Sequence, residues 1–221
     1  MTIFVDAIQQ SNLTNYAGLV TSVQRWLSRT DFQDDVPDFI RLAEARFRRV
    51  LVMPDMEADI LVTPAAIVAL PVDFDSLRSF GISGSATLDL IPPAAFGALP
   101  RDGNGSPLTG QPEKFTITAR TMRFWPVPDK AYPAQMTYRA NIPSLGPALD
   151  SNWLLAKHPD VYLYGTILQA EAYGWNDDRI PLIKGALDEA LSEVMQAGTR
   201  QRYGGGPLAM TPPTSERIGL R

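Results

Sequence analysis

Residues 151–179 read SNWLLAKHPDVYLYGTILQAEAYGWNDDR and hold the chain's single histidine, two of its four tryptophans and three of its seven tyrosines. Val161, Leu163, Tyr164, Ile167, Leu168, Ala172 and Trp175 leave little room for a polar face, so the spacing predicts a largely buried helix. Pro159 disfavours a helical conformation at His158 and suits the first helical position itself. His158 then sits at a helix boundary, with Asp160 in the first turn where its charge complements the macrodipole. A general base there would need a second histidine, a cysteine or a serine motif beside it, and none is present. The aromatic set Trp153, Tyr162, Tyr164, Tyr173 and Trp175 reads as core packing rather than as a platform for sugars.

A buried helix needs neighbours on several sides, and the sequence offers them at both ends of the chain. From Tyr16 to Leu27 apolar residues fall at 16, 19, 20, 23, 26 and 27, with Thr14 or Asn15 as the cap. Val36, Phe39, Ile40, Ala43, Phe47, Val50 and Leu51 form a second stripe, capped by Asp34 or Asp35 with Pro37 in its first turn. Glu44 and Arg48 stand four apart, which reads as a surface ion pair. These two helices are expected as an antiparallel pair. After the buried helix a further amphipathic one runs from about 177 to 200 through Ile180, Ile183, Leu187, Ala190, Leu191 and Val194.

The middle of the chain has another period. Short β-prone runs from Met56 onward are broken by Pro64, Pro71, Gly81 and Gly84. Phe115, Ile117 and Ala119 alternate, then Met122, Phe124 and Val127 beyond a turn near Arg120–Thr121, then Met136, Tyr138 and Ala140. A short helix is expected at PPAAFGAL. The fold class is therefore α+β. N- and C-terminal helix pairs make a four-helix unit, a small antiparallel β region is inserted between them, and a C-terminal tail is extended. The expected boundaries are 1–54, 55–150, 151–203 and 204–221. The tail, rich in glycine and proline, does not read as helix.

Composition narrows the function. The chain has 221 residues, 45% hydrophobic and 20% charged, a globular balance. A net charge of −4 argues against a free-standing DNA binder. With no cysteine there is no disulfide framework, thiolate metal site or cysteine nucleophile. No apolar run approaches a membrane span, and the N-terminus shows no secretory pattern. "GISGS" (81–85) puts Ser85 where a nucleophile elbow needs glycine. "GSPLTGQP" (105–112) has Gln111 and Pro112 where a phosphate loop needs lysine and Ser/Thr. Asp34, Asp35 and Asp38, and Asp177 and Asp178, cluster at predicted helix starts, where negative charge is stabilising anyway. Arg46, Arg48 and Arg49 give the second helix a basic side, read as a solvated face or a contact for phosphate or an acidic partner. No catalytic, cofactor-binding or metal-ligating residue is assigned. A carboxylate-based hydrolase through Asp73 and Asp75 is the distant enzymatic alternative.

Four ordered segments carry a resemblance. "NYAGLVTSVQRWLSRTDFQDDVPDFIRLAEARFRRVL" contains Pro37, Phe39, Ile40, Leu42, Ala43, Glu44 and Arg46. "VALPVDFDSLRSF" contains Ala69, Leu70, Pro71, Asp73, Phe74, Leu77 and Arg78. "GQPEKFTITARTMRFWPVPD" and "NWLLAKHPDVYLYGTILQAEAY" follow at fitting intervals, so that about residues 16–200 are covered. Together they resemble phage head–tail connector (adaptor) proteins of podovirus-like connectors and gene transfer agents. The resemblance implies a structural virion protein at the head–tail interface, made in the host cytoplasm. About twelve copies would form a ring beneath the portal, extend the DNA channel and seat the tail. Its partners would be the portal protein, tail or nozzle proteins, further copies of itself, and passing double-stranded DNA met without sequence specificity; no membrane is involved. The tail suits a partner-binding arm, with Leu208, Met210, Ile218 and Leu220 as apolar anchors and Arg217 and Arg221 for acidic groups. Another tail-completion or baseplate component is the alternative.

Overall fold

Proline cannot continue a helix from its N-terminal side, and Pro159 accordingly splits the stretch after Asn152 in two. In the computed structural model, which describes residues 13–28, 32, 34–84, 87–174 and 178–203, helix α4 covers Trp153–Lys157 and α5 covers Pro159–Tyr173. The earlier helices are α1 (Tyr16–Leu27), α2 (Val36–Val50) and the short α3 (Pro93–Gly97); α6 is Ile180–Tyr203. The strands are β1 (Glu57–Val62), β2 (Ile67–Ala69), β3 (Phe74–Ile82), β4 (Asp89–Leu90), β5 (Lys114–Thr118), β6 (Thr121–Trp125) and β7 (Ala134–Ala140). The fold class is α+β.

α5 is the buried helix. Val161, Tyr162, Thr166, Ile167 and Ala170 have no exposed surface, and α1, α2, α4 and α6 all pack on it. α1 and α2 contact each other less than each contacts α5, so the N-terminal helices are joined mainly through the helix between them. Leu19, Val23 and Leu27 of α1, Phe39, Ile40, Ala43 and Phe47 of α2, and Ile183, Leu187, Leu191 and Val194 of α6 complete one apolar cluster. Asn15 caps α1, its side chain accepting from the Gly18 amide at 2.8 Å. α2 departs from expectation: Asp35 is the N-cap residue, but its backbone is helical and its side chain makes no capping hydrogen bond. Near the end of α5, Ala172 departs from the predicted buried stripe by being exposed, and Tyr173, read as part of the aromatic core, is 59% exposed. Tyr173 still lies 5.5 Å from the rings of Phe32 and Phe39.

The β region comprises two sheets and is antiparallel except at one pair. Three strands form a sheet ordered β1-β7-β3, and four form another ordered β2-β6-β5-β4. β4 runs parallel to β5, pairing Asp89 with Lys114 and Leu90 with Phe115. The two sheets share a second apolar cluster around Phe80, Phe115 and Phe124, whose ring centroids are 5.3–6.2 Å apart. Sequential strands β5 and β6 form a hairpin closed by Ala119 and Arg120. Ala119 takes φ 53°, the left-handed conformation that so short a turn demands.

Two stretches tie the sheets to the helices. Leu51–Met56 runs from α2 into β1 through a 3₁₀ turn at Pro54–Met56, and residues 141–152 return from β7 to α4. Lys157 pairs with Asp55, and both Arg78 and Arg202 reach Glu57 at the start of β1.

Candidate functional site

The residues with catalytic potential are dispersed. His158 is half-buried between α4 and α5 and makes no side-chain capping bond, in keeping with a boundary residue. Asp73 accepts from the Tyr138 hydroxyl at 3.1 Å, and Arg139 Nε donates to Asp75 at 2.6 Å. Burial, and then the bond to Asp73, raise the Tyr138 pKa, which keeps the phenol a donor. A cleft of about 420 Å³ borders Asp73 together with Arg48, Asn141 and Ser144, and Asp75 does not line it. Each carboxylate thus has its own structural partner.

The glycine motifs resolve as strand and turn: Gly81 lies within β3, paired with Gln135. Gly84 takes φ 78° in the turn after β3, and Ser85 lies outside the described residues. Gly110 is followed by strand β5, whereas a phosphate loop needs a helix N-terminus to meet the anion. Among the described residues no group of three or more His, Cys, Asp or Glu side chains is placed to hold a metal ion. No helix among them is long and apolar enough to cross a membrane.

The basic side of α2 is mostly turned to internal use. Arg46 pairs with Asp188 of α6 at 2.8 Å. Arg48 donates to the Ile142 carbonyl at 3.2 Å and to Ser144, which leaves Arg49 as the exposed member of the three. Glu44, expected on the surface, is 1% exposed. Its Oε1 accepts from the Leu145 amide at 2.7 Å and from the Tyr162 hydroxyl at 3.2 Å, while Arg48 faces its other oxygen at 3.5 Å. Asn152 completes the group. Its amide donates to the Pro143 carbonyl and to Tyr162 Oη, and its Oδ1 caps α4 by accepting from Leu155. Burial foremost, with the Glu44 charge beside it, drives the Tyr162 pKa well above the ordinary tyrosine value. A buried carboxylate is tolerated when its acceptor sites are filled. Here one of the filling groups, the Leu145 amide, comes from residues 142–152, and Arg48 holds the Ile142 carbonyl of the same stretch, so the site clasps the return segment onto the helices.

The outer surface carries apolar side chains. Trp26, Leu42, Leu61, Ile67, Val72 and Leu182 are each more than two-fifths exposed. A groove of about 230 Å³ lies beside β2, α3 and β6. A family model described as SU10 adaptor protein matches residues 14–211. The chain belongs to that family. Membership in the SU10 adaptor family makes this a phage structural adaptor and a component of the virion, and implies a protein that is not an enzyme. Comparison with curated proteins gives no match. The adaptor's match covers both apolar clusters and stops ten residues before the last. The arm residues Leu208, Met210, Arg217, Ile218, Leu220 and Arg221 lie outside the described residues.

The carboxylate clasp escaped sequence reading. Its one sequence signal was an acidic residue on the apolar side of the α2 stripe, one position after Ala43 and three before Phe47.

Proposed function

We propose that about twelve copies of this adaptor form a ring beneath the portal, extend the DNA channel and present a seat for the tail. The observation that carries the reading is the family match across residues 14–211. The physical character of the chain supports it. A ring subunit needs a stiff body for side-to-side contacts, and here α5 is enclosed by four helices and locked by the Glu44–Tyr162–Asn152 group. It also needs apolar side chains left over for neighbours, and Trp26, Leu42 and Leu182 on three helices meet that need. In this reading residues 1–54 and 151–203 act together as a four-helix body, 55–150 are an insertion, and 204–221 are an arm for portal or neighbour. DNA slides through a lumen that does not hold it, in keeping with a net charge of −4.

The test is mass by light scattering of the purified chain, alone and mixed with its cognate portal ring. A stoichiometric ring-on-ring complex is expected, weakened when residues 204–221 are deleted while the circular dichroism of the body is unchanged. No complex at any ionic strength, with a competent portal ring, would refute the assignment and direct attention to tail and baseplate partners.

A further inference from the structure

We infer that the free edge of β2 and the groove beside it are a docking site for an extended, acidic segment of a partner protein, which joins the sheet as a further strand. The inference goes beyond the ring proposal and does not depend on it.

Each sheet ends in two edge strands, and a bare edge invites pairing unless something blunts it. β1 turns Glu57 and Asp59 to solvent, β3 shifts register between Phe74 and Ser76 and again between Leu77 and Ser79, and β4 is two residues long. The β2 edge is the least guarded. It pairs over three residues, yet residues 63–72 around it hold no charge, and Pro64 and Pro71 fall outside the paired ones. Leu70 N–H donates to the Arg120 carbonyl at 2.9 Å, and backbone groups alternate in direction along a strand. Val68 therefore faces β6 as Leu70 does, while Ile67 and Ala69 aim their N–H and C=O groups away from it. Those groups stand at the spacing on which an added strand pairs.

The groove supplies the specificity. Ile67, Phe96, Leu99 and Trp125 line it together with Arg101 and Arg123, and no acidic residue does. Ile67 is 60% exposed. Arg123 lies over the Phe96 ring at 5.5 Å, and Trp125 Nε1 donates to the Pro100 carbonyl at 3.1 Å, which holds both rings in place. Among the described residues neither arginine has a carboxylate partner, in a chain of net charge −4. Arg101 spends one of its five N–H groups on the Gly105 carbonyl. Asp102 beside it is taken up by its own loop, accepting from the Asn104 and Ser106 amides at 2.9 and 2.7 Å. Arg123 stands directly opposite Ile67 and so shares its face of the sheet. An added strand sets every second side chain on that face. A carboxylate there meets the arginines through charge-assisted hydrogen bonds, and an apolar side chain two positions away covers Ile67. At about 230 Å³ the space is below the ~300–1,000 Å³ of small-molecule sites and suits such side chains. Nucleic acid fits less well: phosphate suits the arginines, but a sugar–phosphate backbone has no N–H for the Ile67 and Ala69 carbonyls.

The test uses the full chain and a fluorescent probe, an end-blocked seven-residue peptide of threonine with valine, glutamate and valine at its second, fourth and sixth positions. Anisotropy at low ionic strength reports binding, and amide hydrogen exchange reports its place. Saturable binding is expected, with exchange at the Ile67 and Ala69 amides slowed at least ~10-fold. Arg123→Gln should weaken binding ~10-fold or more, as the loss of a hydrogen bond between charged groups does. Two further peptides carry N-methyl groups on alternate amides, in opposite phase. One should bind and the other should not, because an added strand pairs along a single side. Ala69→Pro removes an outward donor without touching the β2–β6 ladder and should weaken binding as the second peptide does. The peptide pair decides the point even if that variant does not fold. No saturable binding at millimolar peptide would overturn the inference. So would equal affinity of the two N-methylated forms, indifference to Arg123→Gln, or equal binding of a peptide with lysine in place of glutamate. An oligothymidine that displaces the peptide with higher affinity would make the ligand nucleic acid instead. Protection of the same two amides that grows with the concentration of the chain alone would make the occupant a second copy, and either result overturns the partner strand. Portal binding enters none of these readouts, so the inference and the ring proposal fail separately.

Discussion

Replacing Gly165 by alanine sets two effects of opposite sign against each other. In a helix interior the change normally stabilises by about 0.5–1 kcal/mol, because glycine gives up more backbone freedom on folding. At this site a Cβ would stand 2.5 Å from Phe47 Cζ, 2.9 Å from Cε1 and 3.4 Å from the Ala43 methyl. The Phe47 ring is fully buried and meets Tyr162 edge-on at 5.3 Å, and Tyr162 is held by Asn152 and Glu44, so the ring has nowhere to retreat. Overpacking of this kind costs about 1–3 kcal/mol, which outweighs the propensity gain. Gly185 on α6 is the control: nothing lies within 4 Å of its would-be Cβ, and alanine there should stabilise by the propensity term alone. At ~2–4 °C per kcal/mol for a chain of this length, Gly165→Ala should melt about 2–12 °C below Gly185→Ala. Both are measured by urea and thermal unfolding. Adding Phe47→Leu to Gly165→Ala should recover part of the loss relative to Phe47→Leu alone, as a contacting pair does. If Gly165→Ala gains stability as Gly185→Ala does, the close packing of α2 on α5 described here is wrong.

Three further outcomes are expected. Glu44→Ala leaves the Leu145 amide and the Tyr162 hydroxyl without their acceptor and should cost about 2–5 kcal/mol in urea unfolding, against about 1 kcal/mol for Tyr162→Phe. The raised pKa of Tyr162 gives an alkaline limit: the stability is fully present below the unfolded tyrosine value of about 10, and as pH rises above it the unfolded chain releases a proton that the folded chain keeps. Stability should then fall by up to ~1.4 kcal/mol per pH unit, and Tyr162→Phe should flatten that slope. Ala119→Gly relieves a left-handed residue at the β5–β6 turn and should stabilise by up to about 1 kcal/mol; a loss would mean that the turn has another conformation.

The helices were legible because burial leaves a local record. The α1 stripe of Leu19, Val23 and Leu27 and the α6 stripe from Ile183 to Val194 repeat within one or two turns, and the apolar surround of α5 appears within fifteen residues. What escaped was set by distant partners. Glu44 looks like half of a surface pair because Arg48 is four residues away, while the groups that bury it, Leu145 and Tyr162, are 101 and 118 residues away. The division into two sheets was not legible because alternation reports which face is buried and not which strand is adjacent. β1 finds its neighbour in β7, with Glu57 opposite Arg139. The groove was invisible for the same reason, being built from residues 66–67, 96–107 and 123–127. Ala172 and Tyr173 were misjudged because α5 emerges from its neighbours at that end, a matter of helix length that periodicity does not encode.

The clasp on residues 142–152 also decides how the molecule bears load. A pull on the sheets reaches the helices along two covalent strands, 51–56 and 141–152. The second is pinned at its Leu145 amide and its Pro143 carbonyl to side chains rooted in α2 and beside α4. Tension on that strand meets the buried charge, since any slack would strip Glu44 of its Leu145 donor.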